Sequence, residues 1–166
     1  MAEKNKVGVT TYLTPSDREV VAVRVLNAPL QLVWDAWTKC EHLKHWLIGP
    51  DGWTMPVCEM DLRPGGTWRH GYRHRDGTEM AIGGVFREIE APTRMVRTES
   101  WGGDWPETLN TLLLTEEGAM TVMTCTILYP SKEARDKALG TGMREGLSLS
   151  YDRLDRALAR MGVLAD

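Results

Sequence analysis

The hydrophobic positions follow two rhythms along the chain. EVVAVRVLNA, residues 19–28, is rich in β-branched side chains and predicts a strand. Asn27-Ala28-Pro29 ends it, and Pro29 is well placed to open a helix. Leu30, Val33, Trp34 and Trp37 recur at helical spacing, so 30–37 reads as a helix. A second short helix is expected over 40–47, before Gly49-Pro50, with DGWTM as a loop. From residue 57 the period becomes twofold. Six strands are predicted, over 57–62, 66–75, 79–90, 94–101, 107–116 and 120–129. Pro64-Gly65-Gly66, Asp76-Gly77, Ala91-Pro92, Gly102-Gly103-Asp104 and Glu117-Gly118 separate them. Ser131 is a candidate N-cap, and 132–160 turns helical, with Leu147, Tyr151, Leu154 and Leu158 on one face.

This order predicts an α+β fold. A curved six- to seven-stranded antiparallel sheet (β-α-α-β6-α) wraps around one long C-terminal helix. The expected organisation is a flexible tail at 1–15 and a single domain over 16–162. A sheet gripping one helix leaves a space between them, and strand alternation says which side chains face it. On 66–75, Arg69, Arg73 and Arg75 share the wet face, so Trp68, His70, Tyr72 and His74 point inward. Gly65-Gly66 in DLRPGGTWRH lets the chain reverse just before Trp68 enters that face. The same alternation turns inward Met80, Ile82, Gly84 and Phe86, then Met95, Arg97, Glu99 and Trp101. Asn110, Leu112 and Leu114 follow, and then Met123, Cys125 and Ile127.

A mostly apolar wall with a few polar groups is the pattern of a small-molecule site. The candidate ligand-binding set is Trp68, Phe86 and Trp101 for packing, and His70, Tyr72, Arg97, Glu99 and Asn110 for orienting polar groups. Met123, Met143 and Leu147 would close the pocket from the far strand and the helix. A His/Glu pair in a cavity, such as His70 with Glu99, can support acid–base chemistry, though nothing in the spacing requires it.

Composition narrows the partners. The net charge of −3 offers no excess positive charge for a nucleic-acid backbone. No apolar run reaches the ~20 residues that span a bilayer, and the N-terminus lacks a signal-peptide core. No membrane partner and a cytoplasmic location are therefore expected. Cys40, Cys58 and Cys125 are odd in number and far apart, which predicts reduced thiols. Seven Trp against one Phe suits an amphipathic pocket wall.

Other chemistry is absent from the motifs. GTGMREG misplaces the third glycine of a dinucleotide fingerprint and falls inside a helix, so no cofactor is expected. His70 and His74 lie roughly 13 Å apart on a strand, and His42 and His45 lack a third ligand, so no metal is expected. GxSxG, P-loop and HExxH patterns do not occur.

Five segments then combine. VLNAPLQLVWDAWTKCEHLKHWLIGPDGW, DLRPGGTWR, GGVFREIEAPTRMVRTESW, LYPSKEARDKAL and GMREGLSLSYDRLDRAL run in order over roughly residues 18 to 160. Together they resemble the activator of heat-shock-protein-90 ATPase homologue group of the START-like (SRPBCC, birch-pollen-allergen) superfamily. The resemblance implies the helix-grip fold. Relatives bind hydrophobic small molecules, act as polyketide cyclases or hydrolases, or sequester toxic natural products. Arg97 departs from the aromatic or aliphatic cavity residue expected there, which argues against a simple lipid pocket and allows an anionic or carboxylate-bearing ligand. The leading expectation is a binder of a small hydrophobic or amphipathic molecule. One alternative is a cyclase- or hydrolase-type enzyme using His70 and Glu99. Another is a homodimer or protein-interaction module using exposed Trp46 and Trp53.

Overall fold

The computed structural model describes residues 6–165. The elements in chain order are β1 (Thr10–Leu13), β2 (Glu19–Leu26), α1 (Leu30–Thr38), α2 (Cys40–Leu43), β3 (Trp53–Met60), β4 (Thr67–His74), β5 (Glu79–Glu90), β6 (Arg94–Glu99), β7 (Thr108–Glu117), β8 (Met120–Leu128), α3 (Lys132–Leu139) and α4 (Met143–Ala165). The strands form one antiparallel sheet in the order β1-β2-β8-β7-β6-β5-β4-β3. The helix-grip architecture stands. Tyr151, Leu154, Ala157 and Leu158 of α4 share one core with Leu26, Ile82, Phe86, Leu112 and Met123 of the sheet. Trp68, His70 and Tyr72 are buried and Arg69 and Arg73 exposed, as twofold alternation requires.

Four features differ from the sequence expectations. The sheet has eight strands, because Thr10–Leu13 pairs with Val21–Arg24 inside the stretch expected to be a tail. Four residues are too few for alternation to register. Residues 1–5 of that tail lie outside the described residues. The second difference is the start of β3 at Trp53, in the segment expected to be a loop. Its register shifts between Thr54 and Val57, where Pro56 lacks a ladder donor, and the twofold pattern is interrupted there.

The third difference is the C-terminal helix, which is two helices. Gly142 adopts φ +82°, a left-handed conformation that ends helical pairing between α3 and α4. The Ser131 hydroxyl accepts from the Ala134 N–H at 3.1 Å, so the expected N-cap is present. The fourth is the state of the thiols. Cys40 opens α2 and Cys58 lies on β3; the fold brings their Cα atoms to 5.8 Å, and they form a disulfide. Cys125 alone is free among the described residues.

A buried cation fastens α4 to the sheet edge. Arg24 on β2 is 2% exposed. Its guanidinium donates to Thr10 Oγ1 at 2.8 Å, Asp152 Oδ1 at 2.8 Å and Asp155 Oδ2 at 2.6 Å. At the opposite end of the sheet, a Cβ on Gly66 would lie 1.9 Å from the Asp61 carbonyl oxygen. Only glycine permits that close reversal into β4.

Candidate functional site

Between the inner sheet face and α4 lies a cavity of three adjoining chambers. The inner one, about 110 Å³, is bounded by Trp37, Leu47, Leu112 and Leu147, with Tyr72, Arg97, Glu99, Asn110, Cys125 and Tyr151 as its polar groups. A second, about 330 Å³, runs past Pro50, Trp53, Met80, Trp101 and Met143. A third, about 350 Å³, extends under Trp105, Pro106, Tyr129 and Ala138. Leu47, Tyr72, Ile127 and Leu147 border both the inner and second chambers. Met80, Trp101, Ile127 and Met143 border both the second and third. The outer chambers have the size and apolar lining of small-molecule sites.

The roof is held by hydrogen bonds. The Tyr72 hydroxyl donates to the Leu47 carbonyl at 3.0 Å. The Gly49 N–H donates to Ser150 Oγ at 2.8 Å, and Arg153 donates to the Gly49 carbonyl and to Asp51. These bonds join the loop after α2 to β4 and α4, across the second chamber.

The expected residues separate into two groups. Tyr72, Arg97, Glu99, Asn110 and Leu147 border the inner chamber. Trp101 and Met143 border the outer ones. Trp68, His70, Phe86 and Met123 face inward as expected but border none of these three chambers. They are core residues behind the wall. Phe86 and Met123 are fully buried, and Met123 receives the Trp37 indole N–H on its sulfur at 3.3 Å. Trp68 donates to the Thr98 carbonyl at 3.0 Å and lies 3.9 Å beneath the Arg97 guanidinium.

His70 is the least satisfied group. It is fully buried between Trp68 and Tyr72, and neither ring nitrogen has a hydrogen-bond partner among the described residues. Burial, followed by the Arg97 charge, pushes its pKa down to about 3. A neutral imidazole without a bonded carboxylate is not one half of a His70–Glu99 acid–base pair. Glu99 instead accepts from Asn110 Nδ2 at 2.6 Å, while Asn110 Oδ1 accepts from Thr108 at 3.0 Å.

Burial sets the other ionisations. It raises Tyr72, with Glu99 adding to the effect, and raises Tyr151 well above the ordinary phenol range. It pushes the Cys125 thiol up to about 11 and the Tyr129 phenol up to about 12. The thiol is therefore a poor nucleophile at neutral pH. Among the described residues, no group of three His, Cys, Asp or Glu side chains could hold a metal.

Sequence reasoning missed Trp37, Leu47, Tyr129 and Tyr151 as wall residues. Trp37 and Leu47 reach the cavity from α1 and the turns after α2, where strand alternation gives no guidance. Tyr151 was legible as an inward helix position, but its contact with the inner chamber depends on how far α4 sits above the sheet. Trp46 is wholly buried, donating to the Ala36 carbonyl at 3.0 Å, so it is not an exposed interaction residue. Trp53 is half-buried against the His74 ring and borders the second chamber. No helix is long and apolar enough to cross a membrane among the described residues.

The sequence profile described as activator of Hsp90 ATPase homolog 1-like protein matches residues 27–159. Among solved structures, a protein from Rhodobacter sphaeroides is 27% identical, with a TM-score of 0.87 over 91% of this chain and 98% of its own. A protein from Nitrosomonas europaea is 23% identical, with a TM-score of 0.81 over 90% of this chain and 99% of its own. One from Mycobacterium smegmatis is 23% identical, with a TM-score of 0.80 over 90% and 97%. No curated protein matches this chain.

Proposed function

The chain belongs to the activator of Hsp90 ATPase homolog 1-like family, and from that premise we propose that it binds a small amphipathic molecule between the sheet and α4. The observation that carries the reading is that the three chambers adjoin, with Leu47, Tyr72, Ile127 and Leu147 shared by the first two and Met80, Trp101, Ile127 and Met143 by the second and third. All three are mainly apolar, with walls that include Met80, Trp101, Met143 and Leu147, and the inner one also presents Arg97, Glu99 and Asn110. An apolar wall with a few placed polar groups suits a molecule with one polar end and an apolar body. Rigid aromatic walls lose little conformational entropy on binding, which favours ordering of the ligand.

Tyr72 and Leu147 stand at the junction of the inner and second chambers, so both would touch the ligand where its polar end meets its body. Trp101, 47% exposed, would cover the outer end. Trp68, Phe86 and Met123 would act indirectly, by holding the wall in place.

The test uses the neutral fluorescent probe N-phenyl-1-naphthylamine. Saturable binding at one site per chain is expected. Leu147→Trp, which places an indole at the junction, should weaken it about tenfold or more with the circular dichroism spectrum unchanged. A nearby change outside the cavity, Leu149→Trp on the exposed face of α4, should leave binding intact. Absence of saturable binding would overturn the proposal, as would equal loss in both variants.

A further inference from the structure

Arg97 is 6% exposed and borders the inner chamber. Its guanidinium makes no hydrogen bond and no ion pair with any described residue. The Glu99 carboxylate attracts its charge from nearby without bonding to it. Glu99 accepts from Asn110, whose own oxygen accepts from Thr108, and the Tyr72 hydroxyl is turned to the Leu47 carbonyl. One face of the guanidinium rests on the Trp68 ring at 3.9 Å, and Trp68 is itself fixed by its bond to the Thr98 carbonyl. The fork is thereby held in place with its donors unused. Arginine stays charged at any working pH, and Glu99 offsets part of its charge while its donors stay unfilled.

On the cavity reading above, we infer that Arg97 anchors the carboxylate head of a monocarboxylic acid whose apolar or aromatic body fills the outer chambers. The guanidinium fork matches a carboxylate with two parallel N–H···O bonds. An inner chamber of about 110 Å³ has room for the head and a short carbon stub, and the adjoining chambers of about 330 and 350 Å³ take the rest. Glu99 borders both the inner and third chambers, so it repels the head carboxylate as well as any second negative charge, and the second adds repulsion with no further cation to offset it. This favours a monoacid over a phosphate dianion or a dicarboxylate.

The experiment is displacement of N-phenyl-1-naphthylamine at pH 7 by octanoic and 4-phenylbutanoic acids, each compared with its primary amide. A charge-assisted bidentate contact should let the acids displace the probe at concentrations about tenfold lower than the amides. Arg97→Met, which keeps the unbranched apolar stem, should lose the acid preference, read as the ratio of acid to amide displacement so that any change in probe affinity cancels. Arg97→Lys should keep part of it. If acids and amides displace equally from the unaltered protein, Arg97 is not the anchor, while the cavity reading stands on the probe. The acid–amide comparison requires no variant, so a failure of Arg97→Met to fold leaves it decisive. If the probe does not bind at all, both readings fall.

Discussion

At position 70 a histidine sits where the fold offers it nothing to bond. Both ring nitrogens are buried and unpartnered among the described residues, and burial pushes the pKa from 6.5 to about 3. The unfolded chain therefore takes up a proton below about pH 6.5 that the folded chain refuses until about pH 3. Stability is complete above the unfolded pKa and falls as the pH drops through this window, by up to about 1.4 kcal/mol per pH unit from this residue. His70→Leu removes both the titration and the unsatisfied nitrogens. We expect it to raise stability at pH 7 by about 1–2 kcal/mol, and by more at pH 5. Urea unfolding of both proteins at the two pH values checks this. An equal effect at pH 5 and pH 7 would show that the folded chain protonates His70 as readily as the unfolded one. Strand alternation made His70 legible as inward-facing. It could not say that the cavity ends short of it, because that depends on how Trp68 and Arg97 stack in front.

At the scale of elements, α4 is fastened to the sheet edge by charge as well as by its apolar face. Arg24 is buried, whereas Asp152 and Asp155 keep 49% and 31% of their side-chain surface exposed. This asymmetry orders the mutational costs. Arg24→Met frees two carboxylates that water can reach, so the loss is small once solvent screening is counted. Asp152→Asn with Asp155→Asn leaves a buried guanidinium without a counter-charge and should cost more, about 3 kcal/mol. Denaturant midpoints of the two variants test the order; a larger loss in Arg24→Met would contradict it. The six-strand meander, α1 and the Ser131 cap were legible because each repeats a period over enough residues or carries a clear stop. β1 was not, since four residues paired with β2 show no period. The break between α3 and α4 was visible only as Gly140 and Gly142, which a continuous helix tolerates at a cost. Its reason is the left-handed backbone at Gly142. The Cys40–Cys58 pairing was also hidden, because it depends on where α2 comes to rest against β3.

At the scale of the whole molecule, a sheet of eight strands closes on α4 without filling the space between them. The apolar lining of that space was legible in Met80, Met143 and Leu147, whose positions follow from strand and helix periods, whereas Trp101 borders it from beyond the end of β6, which stops at Glu99. The contributions of Trp37 and Leu47 were not, because the α1–α2 segment packs across the sheet at an angle no local pattern specifies. The same closure explains why Trp46 is buried while Trp101 remains half-exposed beside the outer chambers. The central claim is that a small amphipathic molecule occupies this space rather than an apolar spot on the surface. Isotope-filtered NMR places it directly, using methyl-labelled Met and Leu with N-phenyl-1-naphthylamine. The account predicts intermolecular contacts to the methyl groups of Met80, Met143 and Leu147, and none to the exposed Leu13, Leu113 or Leu149. Contacts confined to those exposed residues would contradict it.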